Sequence, residues 1–206
     1  RFTDRGEREV AIRPEMTPSV SRMVAARRQE TPMPARLFSI ANFMRYERPQ
    51  HGREREFWQL NFDIFGAAER AADLEILQLS DAIVRQFGAT DEMFTIKVND
   101  RRLTDYIFRN YMNLTNDETL ATIKLMDRYD KISRKEFETE AIAICDDFDF
   151  AKFDALIAAH RISDLPEAVR NVGFAKNVAE LLDDFKSRGV DNAIYDPTLM
   201  RGFDYY

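Results

Sequence analysis

One cysteine, one tryptophan and two histidines occur among 206 residues. A lone Cys145 excludes an internal disulfide and any cysteine-based zinc cluster, and is the usage of a reducing compartment. His51 and His160 show no metal-ligand spacing with each other or with Cys145, so no structural zinc and no metal held by protein side chains is expected. His51 reads as a solvated loop residue and His160 as a helix-end residue. With only 7 Gly and 7 Pro, collagen-like and low-complexity character is excluded. Charged residues make up 32% of the chain and no long apolar run occurs, which argues against a membrane span and against long disorder. Positive charge is not in excess: 30 Lys and Arg against 36 Asp and Glu leave a net charge of -6, so binding of RNA or phosphate has to rest on a local patch. The opening run RFTDRGEREV is polar and lacks the apolar core of a secretory leader. The expected location is cytoplasmic.

What is present is core material. Hydrophobic residues are 45% of the chain, with 16 Phe and 7 Tyr, enough for one large domain or a domain carrying an insertion. No internal repeat is evident. The chain has no initiator Met and stops inside the run Arg201-Gly202-Phe203-Asp204-Tyr205-Tyr206, so a piece of a longer protein is expected.

Periodicity and punctuation give a coarse element order. Thr17-Pro18 reads as a helix cap followed by a first-turn proline, with Val20, Met23 and Val24 at helical spacing. Residues 36–47 and 56–65 read as strands around an Arg-rich loop, an antiparallel hairpin with a long tip. Residues 67–87 form a long helix stopped by Gly88. A short strand at 94–98 and a helix at 101–112 follow. Residues 114–175 read as short helices only, with Asn116 and Ser133 as N-caps and Glu136 completing a capping box with Ser133. Asp146, Asp147 and Asp149 read as a solvated joint. A helix at 175–188 stops at Gly189, and Ile194 with Tyr195 and Leu199 with Met200 belong to short extended segments returning to the main sheet. The implied organisation is a core at 1–113, a helical insertion at 114–175 and a return to the core at 176–206.

Strand side chains alternate faces. Arg45 and Glu47 share one face of the first strand, and Phe57, Gln59, Asn61 and Asp63 share one face of the second. Trp58, Phe62 and Ile64 point the other way, toward packing against helices. A face carrying Arg, Glu, Gln and Asp is either solvated or the floor of a ligand site. Arg48, Arg53 and Arg55 of the loop offer planar donor forks that fit phosphate oxygens. These residue types alone leave a solvated charge run open, with Glu54 and Glu56 pairing the arginines.

The run Phe43-Met44-Arg45-Tyr46-Glu47-Arg48-Pro49-Gln50-His51-Gly52-Arg53-Glu54-Arg55-Glu56-Phe57-Trp58-Gln59 resembles motif 2 of the class II aminoacyl-tRNA synthetases. Its ERPQ-x-GR-x-R-x-F wording is the histidyl-tRNA synthetase form. Arg13-Pro14-Glu15-Met16-Thr17 is similar to that family's RPE-x-T segment, and Arg201-Gly202-Phe203-Asp204-Tyr205-Tyr206 to its RG-[LF]-DYY signature. The three segments stand in the family's order and span the chain from end to end.

The resemblance implies an α+β fold: a class II synthetase-like antiparallel sheet flanked by helices, with a helical insertion. It implies a ligase that activates histidine with ATP and its Mg2+ and transfers it to tRNA(His), acting in protein synthesis as a cytoplasmic homodimer. It assigns Arg45 to the α-phosphate, Glu47 to the adenine end, Phe57 to stacking on adenine and Arg53 to the γ-phosphate. Arg55 would guide the tRNA end. Arg201 would sit beside the α-phosphate, where other class II enzymes use a metal. Catalysis would rest on Arg45 and Arg201. The histidine pocket would be Glu15, Thr17, Gln59, Asp63 and Tyr206, with Glu15 and Thr17 on the α-ammonium and Asp63 and Tyr206 on the imidazole nitrogens. Position 63 departs from the bacterial form, which has Glu there; Asp is shorter by one methylene.

Two other readings stand beside this one. A non-catalytic paralogue of these synthetases serves as regulatory subunit of ATP phosphoribosyltransferase, but such a protein has no need of Arg45, Arg53 and Arg201 together with Phe57 and Gln59. A class II synthetase for threonine, proline or glycine is disfavoured by the RGFDYY run.

Overall fold

The structure, a computed structural model, describes residues 1–46 and 54–200. Packing divides the chain into two compact units, the first Arg1–Ile76 and the second from Leu77 onward.

The first unit opens with two very short antiparallel strands, β1 (Phe2–Thr3) and β2 (Glu9–Val10). Asp4 holds the turn between them: its carboxylate accepts from the Gly6 and Arg8 amides at 2.8 and 3.0 Å. Strands of two residues carry no alternation to read, and the sequence offers no sign of them. Helix α1 (Thr17–Ala26) follows, with Pro18 in its first turn. Its cap is Met16 rather than Thr17, and no side chain closes the cap.

Strands β3 (Ala35–Met44) and β4 (Glu56–Phe65) form the expected antiparallel hairpin, paired Phe43 to Phe57, Ala41 to Gln59, Ser39 to Asn61 and Leu37 to Asp63. Opposed residues point to the same side. One face therefore carries Phe43 and Ala41, both buried, together with half-buried Phe57, Gln59, Asn61 and Asp63. The other face carries Phe38, Ile40, Trp58 and Leu60. Trp58 is 72% exposed and Phe38 76%, so the expected inward packing of Trp58 does not occur, while Phe62 and Ile64 are half-buried. The second face is thus open along Phe38, Ile40 and Trp58 and partly covered toward Phe62 and Ile64. β4 ends at Gly66, whose φ of +77° is the left-handed region. A Cβ there would meet the Met33 side chain at 3.0 Å. Helix α2 (Glu69–Gln86) starts beyond this turn, and Glu75 on it receives Arg36 of β3.

The second unit is mostly helical. Its sheet is a parallel pair, β5 (Ile96–Val98) with β6 (Ala193–Tyr195). β6 thus joins β5 rather than the antiparallel hairpin, a correction to the expected return to the main sheet. Parallel neighbours need a long crossover, and the intervening helices supply it. Helix α3 (Arg101–Tyr106) runs on into a wider turn over Ile107–Tyr111. Then come α4 (Asn116–Met126), α5 (Arg134–Ile144), α6 (Phe150–Ile157), α7 (Glu167–Arg170) and α8 (Gly173–Ser187). Thr115, not Asn116, caps α4: its hydroxyl accepts from the Glu118 amide, and the Glu118 carboxylate accepts from the Thr115 amide at 2.7 Å. Ser133 caps α5 as expected, and Asp149, expected in a solvated joint, caps α6. Phe137, Phe148 and Phe153 form an aromatic centre, with Phe137 and Phe153 stacked at 4.8 Å and Tyr129 edge-on to Phe137 at 5.1 Å.

Candidate functional site

The polar face of the β3–β4 hairpin is built by strand alternation. Residues 57, 59, 61 and 63 point the same way because they are two apart, and a floor of that span is about 20 Å long. The segment before α1 is laid across the end of this hairpin. The Met44 amide donates to the Arg13 carbonyl at 3.3 Å, and the Arg45 Nε donates to the Pro14 carbonyl at 3.0 Å. The Arg13 guanidinium lies over the ring of Phe43, 5.5 Å from its centroid.

At this end the Arg45 guanidinium rests over the Phe57 ring, 5.1 Å from the centroid, within the range where a cation is attracted to an aromatic face. The Arg45 amide donates to the Arg55 carbonyl at 2.8 Å, extending the hairpin pairing past β3. Arg55 in turn lies over Tyr46 at 4.6 Å. Phe43, fully buried, backs Phe57 with ring centroids 6.1 Å apart.

Further along the face, four side chains form one directed chain of hydrogen bonds. Gln59 Nε2 donates to Asn61 Oδ1. Asn61 Nδ2 donates to Thr17 Oγ1 at 3.0 Å, and Thr17 Oγ1 donates to Asp63 Oδ1 at 3.0 Å. The orientation of both amides follows from their neighbours, because each step alternates donor and acceptor. Helix α1 contributes its first residue to a chain otherwise drawn from β4. Glu15, half-buried, stands two residues before Thr17.

The structure therefore brings Thr17, Gln59 and Asp63 into one network and Arg45 and Phe57 into another, on one face. Asn61 is the member that sequence reasoning missed as a site residue: its alternation with 59 and 63 was visible, but its role as the link between Gln59 and Thr17 was not. Glu47, Arg53, Arg201, Tyr206 and His51 lie outside the described residues. Among the described residues no cluster of three or more His, Cys, Asp or Glu could hold a metal ion, and no helix is long and apolar enough to cross a membrane.

The mixed α+β chain that carries this hairpin has the fold of the class II aminoacyl-tRNA synthetases. Two solved structures share the fold. A protein from Bacillus halodurans C, described as an ATP phosphoribosyltransferase regulatory subunit/histidyl-tRNA synthetase, superposes with a TM-score of 0.78 at 19% identity, covering 100% of this chain and 54% of that one. Histidyl-tRNA synthetase from Nostoc sp. PCC 7120 gives a TM-score of 0.77 at 17% identity, covering 94% of this chain and 47% of that one. The family model described as histidyl-tRNA synthetase matches residues 1–206. The chain belongs to the histidyl-tRNA synthetase family. Among its relatives, the histidine–tRNA ligase of Leptospira biflexa is 39% identical over 211 residues, covering the whole chain and 48% of the relative. That of Thermococcus kodakarensis is 35% identical over 219 residues, again with the whole chain and 48% of the relative covered. The chain spans about half the length of the curated relatives it matches.

Proposed function

We propose that the protein is a histidine–tRNA ligase and that this chain carries its amino-acid activation site. A carboxylate oxygen of histidine attacks the α-phosphorus of ATP. The bond from that phosphorus to the bridging oxygen breaks, and pyrophosphate leaves with the electron pair. A terminal hydroxyl of tRNA(His) then attacks the acyl carbon of histidyl-adenylate and releases AMP. The nucleophiles belong to the substrates, so the protein has to position them and stabilise charge on phosphate oxygens.

The observation that carries this reading is the shared face of β3 and β4, with Arg45 over Phe57 at one end and Thr17 bonded to Asp63 further along. Phe57 offers a ring for adenine, and Arg45 a permanent cation for the α-phosphate. ATP enters with its Mg2+ as substrate. Glu15, Thr17, Gln59 and Asp63 line the histidine end. Selectivity for histidine requires partners for both ring nitrogens, because an unpaired buried polar group costs about 1–3 kcal/mol. Glu47, Arg53, Arg201 and Tyr206 take the roles that the family resemblance assigns: adenine end, γ-phosphate, α-phosphate and imidazole. Residues 1–113 and 176–206 form the catalytic core, 114–175 is an insertion serving the tRNA, and the protein works as a cytoplasmic homodimer.

Thermal shift of the complete protein tests the reading, since a ligand that binds only the native state raises the melting temperature. Histidine with ATP is expected to raise it more than either alone. Equal or greater stabilisation by threonine, proline or glycine would overturn the choice of amino acid.

A further inference from the structure

The hydrogen-bond chain on the polar face of β4 has a direction. A carboxylate such as Asp63 can only accept. Thr17 Oγ1 therefore gives its single hydrogen to Asp63 Oδ1, 3.0 Å away. With that hydrogen committed, the Thr17 oxygen can only accept from its other neighbour, and Asn61 Nδ2 donates to it at 3.0 Å. The Asn61 amide is thereby turned with Oδ1 toward Gln59, which donates to it through Nε2. Asn61 is the planar link, accepting on one side and donating on the other through two atoms of one rigid group.

This direction fixes what the three flanking groups have left to offer. Gln59 keeps its Oε1 and one amide hydrogen, Thr17 keeps one lone pair, and Asp63 keeps its second oxygen. Among the described residues, neither Gln59 Oε1 nor Asp63 Oδ2 takes a hydrogen bond. Ser39, opposite Asn61 in the pairing of β3 with β4, adds a hydroxyl on the same face. Its oxygen is buried and has no partner among the described residues.

We infer that Asn61 is a positioning residue that sets the polarity of the amino-acid pocket. By donating to Thr17 it keeps the Thr17 hydrogen on Asp63. It leaves acceptors on Gln59, Thr17 and Asp63 for a ligand rich in N–H donors, an α-ammonium and a ring N–H. The inference rests on the reading above that Thr17, Gln59 and Asp63 line the histidine end of the site. An acceptor at position 61 upsets the arrangement. The carboxylate introduced by Asn61→Asp keeps the bond from Gln59, but competes with Asp63 for the one Thr17 hydrogen and supplies none in return. The sign of the effect separates polarity from simple charge. A second carboxylate on this face attracts a cationic ligand, whereas loss of the set polarity weakens its binding.

The test uses the complete protein and compares wild type, Asn61→Asp, Asn61→Leu, Thr17→Val and the double variant of Thr17→Val with Asn61→Asp. KM for histidine and KM for ATP are measured in histidine-dependent ATP–pyrophosphate exchange; neither depends on how much of the sample is folded. Asn61→Asp and Asn61→Leu are each expected to raise KM for histidine roughly 5- to 150-fold, the scale of one buried partner lost. KM for ATP should be little changed. Asn61→Leu adds no charge and carries this expectation on its own. In Thr17→Val, which has no hydroxyl hydrogen to divert, Asn61→Asp is expected to raise KM for histidine no further. Three results would each overturn the positioning role while leaving the ligase reading in place: KM for histidine that holds or falls in the Asn61 variants, KM for ATP that rises by the same factor, or an Asn61→Asp effect that persists in Thr17→Val. A wild type without histidine-dependent exchange would overturn both.

Discussion

Thr17 Oγ1 lies 3.0 Å from Asp63 Oδ1 and donates to it, so a residue placed by sequence to cap its own helix serves a strand 46 residues away. Removing that hydroxyl with Thr17→Val leaves the Asn61 amide and the Asp63 carboxylate each short of a partner. A buried group left unpaired costs about 1–3 kcal/mol, a factor of roughly 5 to 150 in binding. The KM for histidine in pyrophosphate exchange is expected to rise within that range, with KM for ATP little changed. An unaltered KM for histidine would remove Thr17 from the amino-acid pocket.

The same residue shows what was and was not legible beforehand. The hairpin was readable because ten-residue strands repeat the period-two pattern enough times to define a face, and the whole of β4 was found at its observed limits. The partner of Thr17 was not readable, because Ser and Thr near a proline signal a local cap and a tertiary acceptor leaves no local trace. Thr115 and Asn116 are both good cap residues, and only the Glu118 side chain returning to Thr115 decides between them. Trp58 and Phe38 belong to a face whose cover does not come from the described residues of their own unit. β6 lost its expected sheet because pairing partners 97 residues apart are a matter of topology rather than pattern.

The exposure of Trp58 can be measured on the 206-residue chain. It is the sole tryptophan, so its fluorescence reports one site, and efficient quenching by acrylamide is expected. Trp58→Gln is expected to change stability by less than about 0.5 kcal/mol, as for other surface changes. A loss of several kcal/mol would show that the ring is packed.

The aromatic centre of the second unit should respond in the opposite way. Phe153 is fully buried and stacked on Phe137, and Phe153→Ala is expected to cost about 3–5 kcal/mol in denaturant unfolding. Thr122, also fully buried, has no hydrogen-bond partner among the described residues. Valine has the same shape without the hydroxyl, so Thr122→Val should leave the melting temperature unchanged or raise it. A marked fall would reveal an unseen partner for that oxygen.

Asp196 gives a pH dependence whose sign can be worked out. Burial pushes its carboxyl up, but the bonds from Lys97 and Thr198 outweigh this and hold it below the usual carboxylate range. A depressed folded-state value means that its stabilisation is present above the unfolded value of about 3.9. That contribution is lost as pH falls through the folded value. Because Lys97 is half-exposed, solvent screens the ion pair and its contribution is small. Wild type should therefore exceed Asp196→Asn slightly in melting temperature at neutral pH, with the gap closing below about pH 4. A gap that widens on acidification would contradict the assignment.

The most direct measurement is the amino-acid dependence of ATP–pyrophosphate exchange in the complete protein, run beside Arg45→Ala. Exchange is expected with histidine and not with threonine, proline or glycine. The Arg45 variant should lose roughly 100-fold or more of it, the scale of removing one oriented donor from a developing anion. Exchange with histidine that survives intact in Arg45→Ala would contradict the account, as would histidine binding with no exchange at all.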